Sequence, residues 1–213
     1  MYKKGLEEWH ILQEENMNKG SHISLAHFLM DDINLDEFKK NEKAFMVGSI
    51  LPDCLPSFLT TRHTITETFG LLKAEIEKVY NNFDMEKGMT SYYSRHLGII
   101  CHYLADYFTF PHNPGFKGSV KEHINYEKEL FIAFQVYLKN RTEYPLELNA
   151  ERYTVNDICS NILDKHKLYM NTLHDIRTDC SFIVEICTVT MKIILDKMFL
   201  KLPIEQVGEI QAA

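Results

Sequence analysis

The stretch LGIICHYLADYFTFPHNPGFKGSVKEHINYE, residues 97–127, decides the fold of this chain. In its first part apolar residues recur at three- and four-residue steps, the period of a helix buried along one face. Two pairs of polar residues with helical spacing stand out: His102 with Asp106, and His123 with Glu127. Between them a loop with two prolines, 110–118, carries His112. The stretch therefore predicts two consecutive helices joined by a short loop.

These five side chains are of the types that bind zinc in proteins. Residues four apart lie on one face of a helix, so each imidazole and its carboxylate can converge on one metal ion or on a close pair of ions. A single pair at this spacing is more often an ordinary helix pair. Two pairs on consecutive helices, with a histidine between them, reverse that preference because a helical hairpin turns both toward one cleft. The sequence therefore predicts a polynuclear metal site.

Helical periodicity also dominates the rest of the chain, and alternating strand patterns are short and rare. The predicted fold is all-α, a compact multi-helix single domain over residues 1–213, in which 21–127 carries the candidate ligands and 128–213 supplies packing helices and a tail. Candidate helix N-caps are Ser21, Asn34, Ser119 and either Thr154 or Asn156. The predicted helices cover 3–16, 21–32, 36–51, 64–82, 92–109, 119–141, 155–173 and 176–199.

The bulk composition narrows the possible partners. Thirty acidic residues against 23 basic ones give a net charge of −7, which disfavours a nucleic acid unless a local patch or a bound metal reverses the charge. The five cysteines form no CxxC pair, which argues against a disulfide framework and a thiolate zinc site. No apolar run approaches the length of a membrane span, and glutamates interrupt the N-terminal segment where a signal peptide needs an apolar core. We therefore expect no transmembrane segment and a cytoplasmic location.

In order and spacing, the five residues resemble the core of the zinc-dependent phospholipase C family, which looks related to the S1/P1-type nucleases. The resemblance extends upstream through the Ser21-His22 segment, Asp53 and His63. It implies an all-α fold of the phospholipase C/P1 nuclease type that holds three zinc ions. By carry-over, one zinc would be bound by Asp53, His63, His102 and Asp106, a second by His112, His123 and Glu127, and a third by His22 with bridging Asp106.

The sequence departs from the family at the third zinc. Secreted members complete that site with the main chain of an N-terminal Trp, whereas the only Trp here, Trp9, is internal and precedes the Ser21-His22 segment. His27, on the same predicted helix as His22, is an alternative ligand, although its apolar neighbours favour a position in the core. Two zinc ions are therefore expected, and a third only with other ligands.

Other residues give weaker signals. His96 and Glu67 could orient ligating imidazoles, but surface or capping positions are the commoner explanation. The adjacent pair His174-Asp175 resembles the HD phosphohydrolases, yet too little chain follows it for that family's distant Asp. Cys54 could offer a thiolate, but a structural role is expected. A group of aromatic residues could receive an apolar or choline-like group or simply pack in the core: Tyr92, Tyr93, Tyr103, Tyr107, Phe108, Phe110 and Phe116.

The resemblance implies a zinc-dependent phosphodiester hydrolase of the phospholipase C type, in which a metal-activated water attacks phosphorus. By resemblance alone, Asp53 would both contact metal and assist deprotonation of that water. The expected partner is a phospholipid head-group or a small phosphodiester. Two alternatives stay open: an S1/P1-type single-strand nuclease, and a catalytically degenerate metal-binding interaction domain, which would be favoured if His22 contacted nothing and the metal count fell to one.

Overall fold

A computed structural model of the chain describes residues 19–54, 61–140 and 153–199. This part contains α-helices and two short 3-10 turns, Leu51–Asp53 and Phe110–His112, and within it no strand is found, which confirms the all-α prediction. The helices are α1 (19–33), α2 (Asp36–Lys39), α3 (Glu42–Ile50), α4 (Ile65–Asn81), α5 (Ser91–Tyr107), α6 (Val120–Asn140), α7 (Val155–Met170) and α8 (Ile176–Phe199).

The predicted helices correspond to these elements with small differences at their ends, except in two places. The predicted helix 3–16 lies outside the described residues. The predicted helix 36–51 is wrong as a single element, because it divides into α2 and α3 at Asn41. The Asn41 side chain donates a hydrogen bond to the Met89 carbonyl oxygen at 2.8 Å and accepts one from the Ser91 hydroxyl at 3.0 Å. These contacts with the start of α5 hold Asn41 in a non-helical conformation.

Two of the predicted helix caps are confirmed and two are wrong. The Thr154 side chain forms a reciprocal capping box with Asp157 at the start of α7, and Ser119 exchanges similar bonds with Glu122 before α6. Ser21 lies inside α1, which is already helical at residue 19. Asn34 follows the end of α1 with a positive φ of 49°, the left-handed conformation in which asparagine commonly ends a helix rather than begins one.

Two glycines allow α3 and α5 to approach each other backbone to backbone. A Cβ atom on Gly98 would lie 2.3 Å from the Phe45 carbonyl oxygen, and one on Gly48 would lie 2.1 Å from the Arg95 carbonyl oxygen. No other residue fits at either position without moving a helix. The close approach brings the Ser49 carbonyl group of α3 against His102 of α5.

The central element is α5, which is buried along most of its length and packs against α3, α4 and α8. α6 also packs against α8, so this C-terminal helix supports both helices of the predicted hairpin. One hydrophobic core joins the described helices, and its members include Leu25, Phe38, Phe45, Leu72, Leu97, Leu130, Ile158 and Ile183. The extent of the domain over 1–213 stays a prediction. Within the described ranges, none of the helices combines the length and apolarity needed to cross a bilayer.

Candidate metal centre

All the candidate ligands come together at one polar centre. Their donor atoms form three groups, each within 4.8 Å: His22, Asp53 and His102; His63, His102 and Asp106; and His112, His123 and Glu127. We call the set Asp53, His63, His102 and Asp106 the first cluster, and the set His112, His123 and Glu127 the second cluster. Cys54 is exposed and belongs to none of these groups.

The first cluster is compact and almost closed to solvent. The Asp106 Oδ2 atom lies 2.9 Å from His63 Nδ1 and 3.1 Å from His102 Nε2. Asp53 faces the same two imidazoles, with its Oδ1 atom 3.5 Å from His63 Nδ1 and 3.6 Å from His102 Nε2. The two imidazole nitrogens are themselves only 3.1 Å apart. Two carboxylates and two imidazoles therefore direct their donor atoms at one small volume.

His22 lies at the edge of the first cluster. Its ring stacks on that of His102 with centroids 4.2 Å apart, and its Nε2 atom lies 3.4 Å from Asp106 Oδ1. Asp106 thus presents one oxygen to His22 and the other to His63 and His102. This arrangement is compatible with the bridging role that the resemblance implies for Asp106.

The second cluster joins the turn Phe110–His112 to α6. The Glu127 Oε1 atom lies 2.8 Å from His123 Nε2 and 3.3 Å from His112 Nε2. His123 and Glu127 are one helical turn apart on α6, as the four-residue spacing predicts. His112 reaches them from the turn that follows α5, so the loop histidine joins the pair on the helix.

A proline-containing 3-10 turn fixes the backbone at His112. Thr109 precedes this turn, and the His112 N–H group donates a hydrogen bond to the Thr109 carbonyl oxygen at 3.0 Å. Asn113 follows, and its side chain donates to the carbonyl oxygens of Tyr107 and Thr109 at 3.1 and 3.0 Å. These local bonds hold the chain as it leaves α5.

Imidazoles and carboxylates at the centre shift one another's pKa values toward the charged forms. Burial alone would raise the pKa of Asp106, but the neighbouring imidazoles of His102 and His112 hold it well below its usual value. Burial likewise opposes ionisation of Glu127, and hydrogen bonds from His112 and His123 lower its pKa. In return, Asp106 raises the pKa of His63 and of His102 against the effect of burial. Asp106 and Glu127 are therefore held ionised, as metal ligands must be.

A backbone group fixes the orientation of His102. The His102 Nδ1–H group donates a hydrogen bond to the Ser49 carbonyl oxygen at 2.9 Å, which leaves Nε2 free to face Asp53 and Asp106. Such a bond between a ligating imidazole and a carbonyl group is common at zinc sites. Ser49 could not be predicted from the sequence, because a main-chain acceptor leaves no pattern in side chains.

The donor set fits a divalent metal ion such as zinc. Imidazole nitrogens and carboxylate oxygens are standard zinc ligands. Two buried atoms of the centre, Asp53 Oδ2 and His22 Nδ1, have no hydrogen-bond partner in the described part of the chain. A buried carboxylate oxygen without a hydrogen bond is costly, and a cation at the centre would compensate for it.

Two spaces adjoin the centre. A cavity of about 20 Å³ lies between the clusters, with His22, Asp106, His112 and Glu127 among its lining residues. A larger open cleft, about 620 Å³, is lined on one side by His63, His112 and His123. The other residues around this cleft are Arg62, Thr64, Thr66, Glu67, Pro111, Asn113, Pro114, Phe116, Gly118, Ser119 and Val120. Three of the candidate ligands, His63, His112 and His123, are therefore reachable from a volume large enough for a small ester.

Most of the aromatic group proposed for this cleft packs elsewhere. Tyr103, Tyr107 and Phe108 belong to the hydrophobic core, which confirms the core-packing alternative for them. Tyr93 donates a hydrogen bond to the Asn82 carbonyl group at the far end of α4. Among the described residues, Phe116 is the member of the group that lines the cleft.

The remaining candidates are resolved by their contacts. The expectation that His27 lies in the core is wrong, because it is exposed and pairs with Glu42 at 3.3 Å. His96 pairs with Glu75, and exposed Glu67 accepts a hydrogen bond from the Arg62 N–H group at 3.2 Å. Neither contributes to the metal-ligand groups of the described chain.

The pair His174-Asp175 has structural contacts. The Asp175 side chain accepts a hydrogen bond from the Thr178 N–H group at 2.7 Å and so caps the start of α8. His174 stacks on Phe110 with ring centroids 4.4 Å apart. The interpretation of this pair as a chance match to the HD phosphohydrolases is therefore supported.

An all-α fold around clusters of histidine and carboxylate is the arrangement of a metal-binding helical protein. The model of the family described as zinc dependent phospholipase C matches residues 21–176, most of the chain. The protein belongs to this family, and the resemblance derived from the ligand spacing is confirmed. No curated protein and no solved structure matches the chain. Membership of the family supports a phospholipase C-like hydrolase function and a lipid as the class of substrate.

Proposed function

We propose that the protein is a zinc-dependent phosphodiester hydrolase that acts on a phospholipid or a smaller phosphodiester. The observation that carries the proposal is the presence of two adjacent clusters of metal-ligand type beside one open cleft. The first cluster would hold one zinc ion through its two carboxylates and two imidazoles. The second would hold another through His112, His123 and Glu127.

Each set of residues has a distinct task in this proposal. When bound, zinc would supply Lewis acidity that polarises the phosphate and lowers the pKa of water. Asp106 directs one oxygen toward His22 and the other toward His63 and His102, so it would be able to serve as a ligand on both sides. Asp53 has a buried oxygen, Oδ2, without a hydrogen-bond partner in the described ranges, and this atom would accept the proton of the attacking water.

A third zinc ion would have fewer ligands. His22 and Asp106 face its expected position, and Trp9 lies outside the described residues. We therefore propose two firmly bound zinc ions, with a third bound more weakly because only two side chains of the proposed set serve it.

The cleft favours a small or lipid phosphodiester over a nucleic acid. Among the described residues that line it, Arg62 is the single Lys or Arg, and Phe116 is the single Phe, Tyr or Trp. A nuclease cleft needs cations along the backbone and aromatic rings on which bases stack. Together with the net charge of −7, this lining argues against the S1/P1-type alternative.

The alternative of a degenerate interaction domain loses one of the two observations that would favour it. It was expected if His22 contacted nothing and the metal count fell to one, and His22 lies close to Asp106 and stacks on His102. The ligand set has no missing member among the proposed side chains. We therefore favour a catalytic function over a purely structural role.

The test combines metal analysis with hydrolysis. We expect the native protein to contain about two zinc ions per chain, to release phosphocholine from a chromogenic analogue, and to lose this activity when a chelator removes zinc. Single-stranded DNA, offered under the same conditions, should be cleaved more slowly or not at all. Efficient cleavage of DNA with no action on the analogue would instead support the nuclease.

A matched pair of variants controls this experiment. His102→Ala removes a buried member of the first cluster, and His27→Ala removes an exposed histidine of α1 that pairs with Glu42. Activity and zinc content should fall in the first variant and stay near wild type in the second. A native protein that contains no zinc would contradict the proposed function.

A further inference from the structure

The turn that carries His112 is connected to the C-terminal helices by buried polar side chains. Asp179 of α8 is fully buried, and its Oδ2 atom accepts a hydrogen bond from the Phe110 N–H group at 2.9 Å. Phe110 is the first residue of the turn that ends at His112. Asp179 therefore fixes the backbone two residues before a candidate ligand.

The same carboxylate also reaches the helix that carries the rest of the second cluster. The Tyr126 hydroxyl group donates to Asp179 Oδ2 at 2.8 Å, and Tyr126 precedes Glu127 on α6. A third donor, the Tyr169 hydroxyl group of α7, bonds to Asp179 Oδ1 at 2.7 Å. One buried side chain thus joins the two segments of the second cluster to each other and to α7.

The other end of the turn has a separate attachment. His166 of α7 donates through Nε2 to Asn113 Oδ1 at 2.8 Å, and both side chains are buried. Asn113 follows His112 directly and bonds to the carbonyl oxygens of Tyr107 and Thr109. His112 is therefore held from both sides by residues of α7 and α8.

A buried carboxylate is a costly way to stabilise a fold. Burial raises the pKa of Asp179, and the hydrogen bonds from Phe110, Tyr169 and Tyr126 oppose that rise. Apolar residues of similar volume often stabilise a core as well as or better than buried polar groups do. A carboxyl group at this position is accounted for if its three hydrogen bonds serve the geometry of the second cluster.

We propose that Asp179 is a positioning residue for the second cluster, which holds the turn with His112 in register with His123 and Glu127 on α6. This inference rests on the proposed function, because it assigns to Asp179 the task of keeping three metal ligands together. Because Asp179 bonds to both segments of the second cluster, its loss should weaken metal binding there while leaving the first cluster intact. Asp179 lies beyond residues 21–176, the part that matches the family.

The test compares Asp179→Asn with Asp175→Asn. Asp175 immediately precedes α8, one helical turn before Asp179, and its side chain accepts the Thr178 N–H hydrogen bond that caps this helix. Each zinc-free variant is titrated with zinc against a competing chelator. In Asp179→Asn we expect one class of zinc to bind about tenfold or more weakly, the usual cost of losing an outer-shell partner, and the other to bind normally. Asp175→Asn should bind both classes as the wild type does.

A double-mutant cycle assigns the effect to one cluster. With His123→Ala already present, the second cluster is broken, so adding Asp179→Asn should cause no further loss of zinc affinity. With His63→Ala present, the effect of Asp179→Asn on the remaining zinc should persist. A purely structural role would instead weaken both classes of zinc together and in proportion to the fall in thermal midpoint.

A second readout does not depend on zinc or on activity. Hydrogen exchange of the zinc-free protein should be faster at residues 110–113 in Asp179→Asn than in the wild type, and unchanged at 49–53. If Asp179→Asn fails to fold, Tyr126→Phe and Tyr169→Phe replace it, because only Tyr126 lies on a ligand-bearing helix. Tyr126→Phe should then have the larger effect on zinc affinity.

The outcomes separate this inference from the proposed function. A wild type that binds no zinc contradicts the proposed function, and hydrogen exchange at 110–113 then decides the inference by itself. A wild type that binds zinc but hydrolyses no phosphodiester leaves the titrations valid. The inference is overturned if Asp179→Asn retains normal exchange at 110–113, or if a zinc-binding protein loses no affinity through this substitution.

Discussion

At the level of single residues, Asp53 differs from the other carboxylates of the centre. Asp106 lies 2.9 and 3.1 Å from the nitrogens of His63 and His102, and Glu127 lies 2.8 Å from the nitrogen of His123. Asp53 is more loosely placed, with its closest imidazole nitrogen 3.5 Å away and its Oδ2 atom buried without a hydrogen-bond partner among the described residues. A carboxylate that is close to the metal position but not fully engaged can accept a proton as well as bind.

Asp53→Asn should therefore separate catalysis from metal binding. The amide keeps a ligand oxygen but cannot accept the proton, so kcat should fall by about 100-fold or more, a typical contribution of a general base. Zinc content should fall less, because three other ligands of the first cluster remain. Rates with the chromogenic analogue and metal analysis of the same sample test this. Near-normal kcat in Asp53→Asn would exclude the role proposed for Asp53.

His112 makes metal binding depend on pH. Burial alone would lower its pKa, but the carboxylates of Asp106 and Glu127 outweigh burial and raise it to about 9. Below that pH the metal-free imidazole carries a proton, which zinc must displace. Zinc affinity at the second cluster should thus rise between pH 7 and 9, by about tenfold per pH unit from His112 alone.

Calorimetric titration in buffers of different ionisation enthalpy measures this proton release. The wild type should release more protons per bound zinc at pH 7 than at pH 9. His112→Gln should release about one proton fewer than the wild type at pH 7, because its amide side chain does not titrate. Equal release by both proteins would mean that His112 is neutral before zinc binds.

At the level of helices, the first cluster depends on how closely α3 approaches α5. Gly48 and Gly98 permit backbone contact, and this contact places the Ser49 carbonyl group 2.9 Å from His102 Nδ1. The orientation of a buried ligand is thus set by a helix crossing, at residues that bind nothing themselves.

Gly98→Ala should damage the fold and the first cluster together. Its Cβ atom would lie 2.3 Å from the Phe45 carbonyl oxygen, so the helices must separate and the bond between Ser49 and His102 must lengthen. We expect the free energy of unfolding to fall by about 1–3 kcal/mol, the usual cost of overpacking. Zinc affinity at the first cluster should fall as well.

Gly70→Ala provides the matched control, because Gly70 is exposed on α4 and a Cβ atom there would have no neighbour within 4 Å. Because alanine has a greater helix propensity than glycine, Gly70→Ala should leave the free energy of unfolding unchanged or raise it by about 0.5–1 kcal/mol. Denaturant unfolding and zinc titration of both variants give the comparison. If Gly98→Ala behaved like Gly70→Ala, the close crossing would have no part in orienting His102.

At the scale of the whole molecule, the sequence predicts those features that have a local period. The four-residue steps from His102 to Asp106 and from His123 to Glu127 predicted two ligand pairs and the helices that carry them. His22, Asp53 and His63 have no such spacing, so they were found through resemblance to a family. These three meet the helical pairs only because distant segments pack together.

Features that depend on contacts between distant segments could not be predicted from the sequence. The break between α2 and α3 reflects a bond from Asn41 to Met89, 48 residues later in the chain. The bond from Asp179 to Phe110 joins residues 69 apart. Neither contact has a period, and the residue types involved are common in helices and loops. Such contacts follow from the packed fold and not from any pattern along the chain.

The whole fold should also depend on the metal. The centre is formed by α1, the turn after α3, His63 just before α4, α5 with the turn that follows it, and α6. It places three carboxylates among five imidazoles. Removing the ions would leave the charges of these buried groups balanced only by one another. It would also remove a metal that binds only the folded state and so stabilises it. A zinc concentration about 1,000 times the dissociation constant contributes about 4 kcal/mol to stability.

We therefore expect chelation to lower the thermal midpoint by several degrees, and added zinc, but not magnesium, to restore it. Circular dichroism during heating measures the change, and Glu127→Gln, which weakens the second cluster, should show a smaller response to chelator than the wild type. An unchanged midpoint on complete removal of zinc would show that the polar centre is stable by itself and that the metal contributes to catalysis alone.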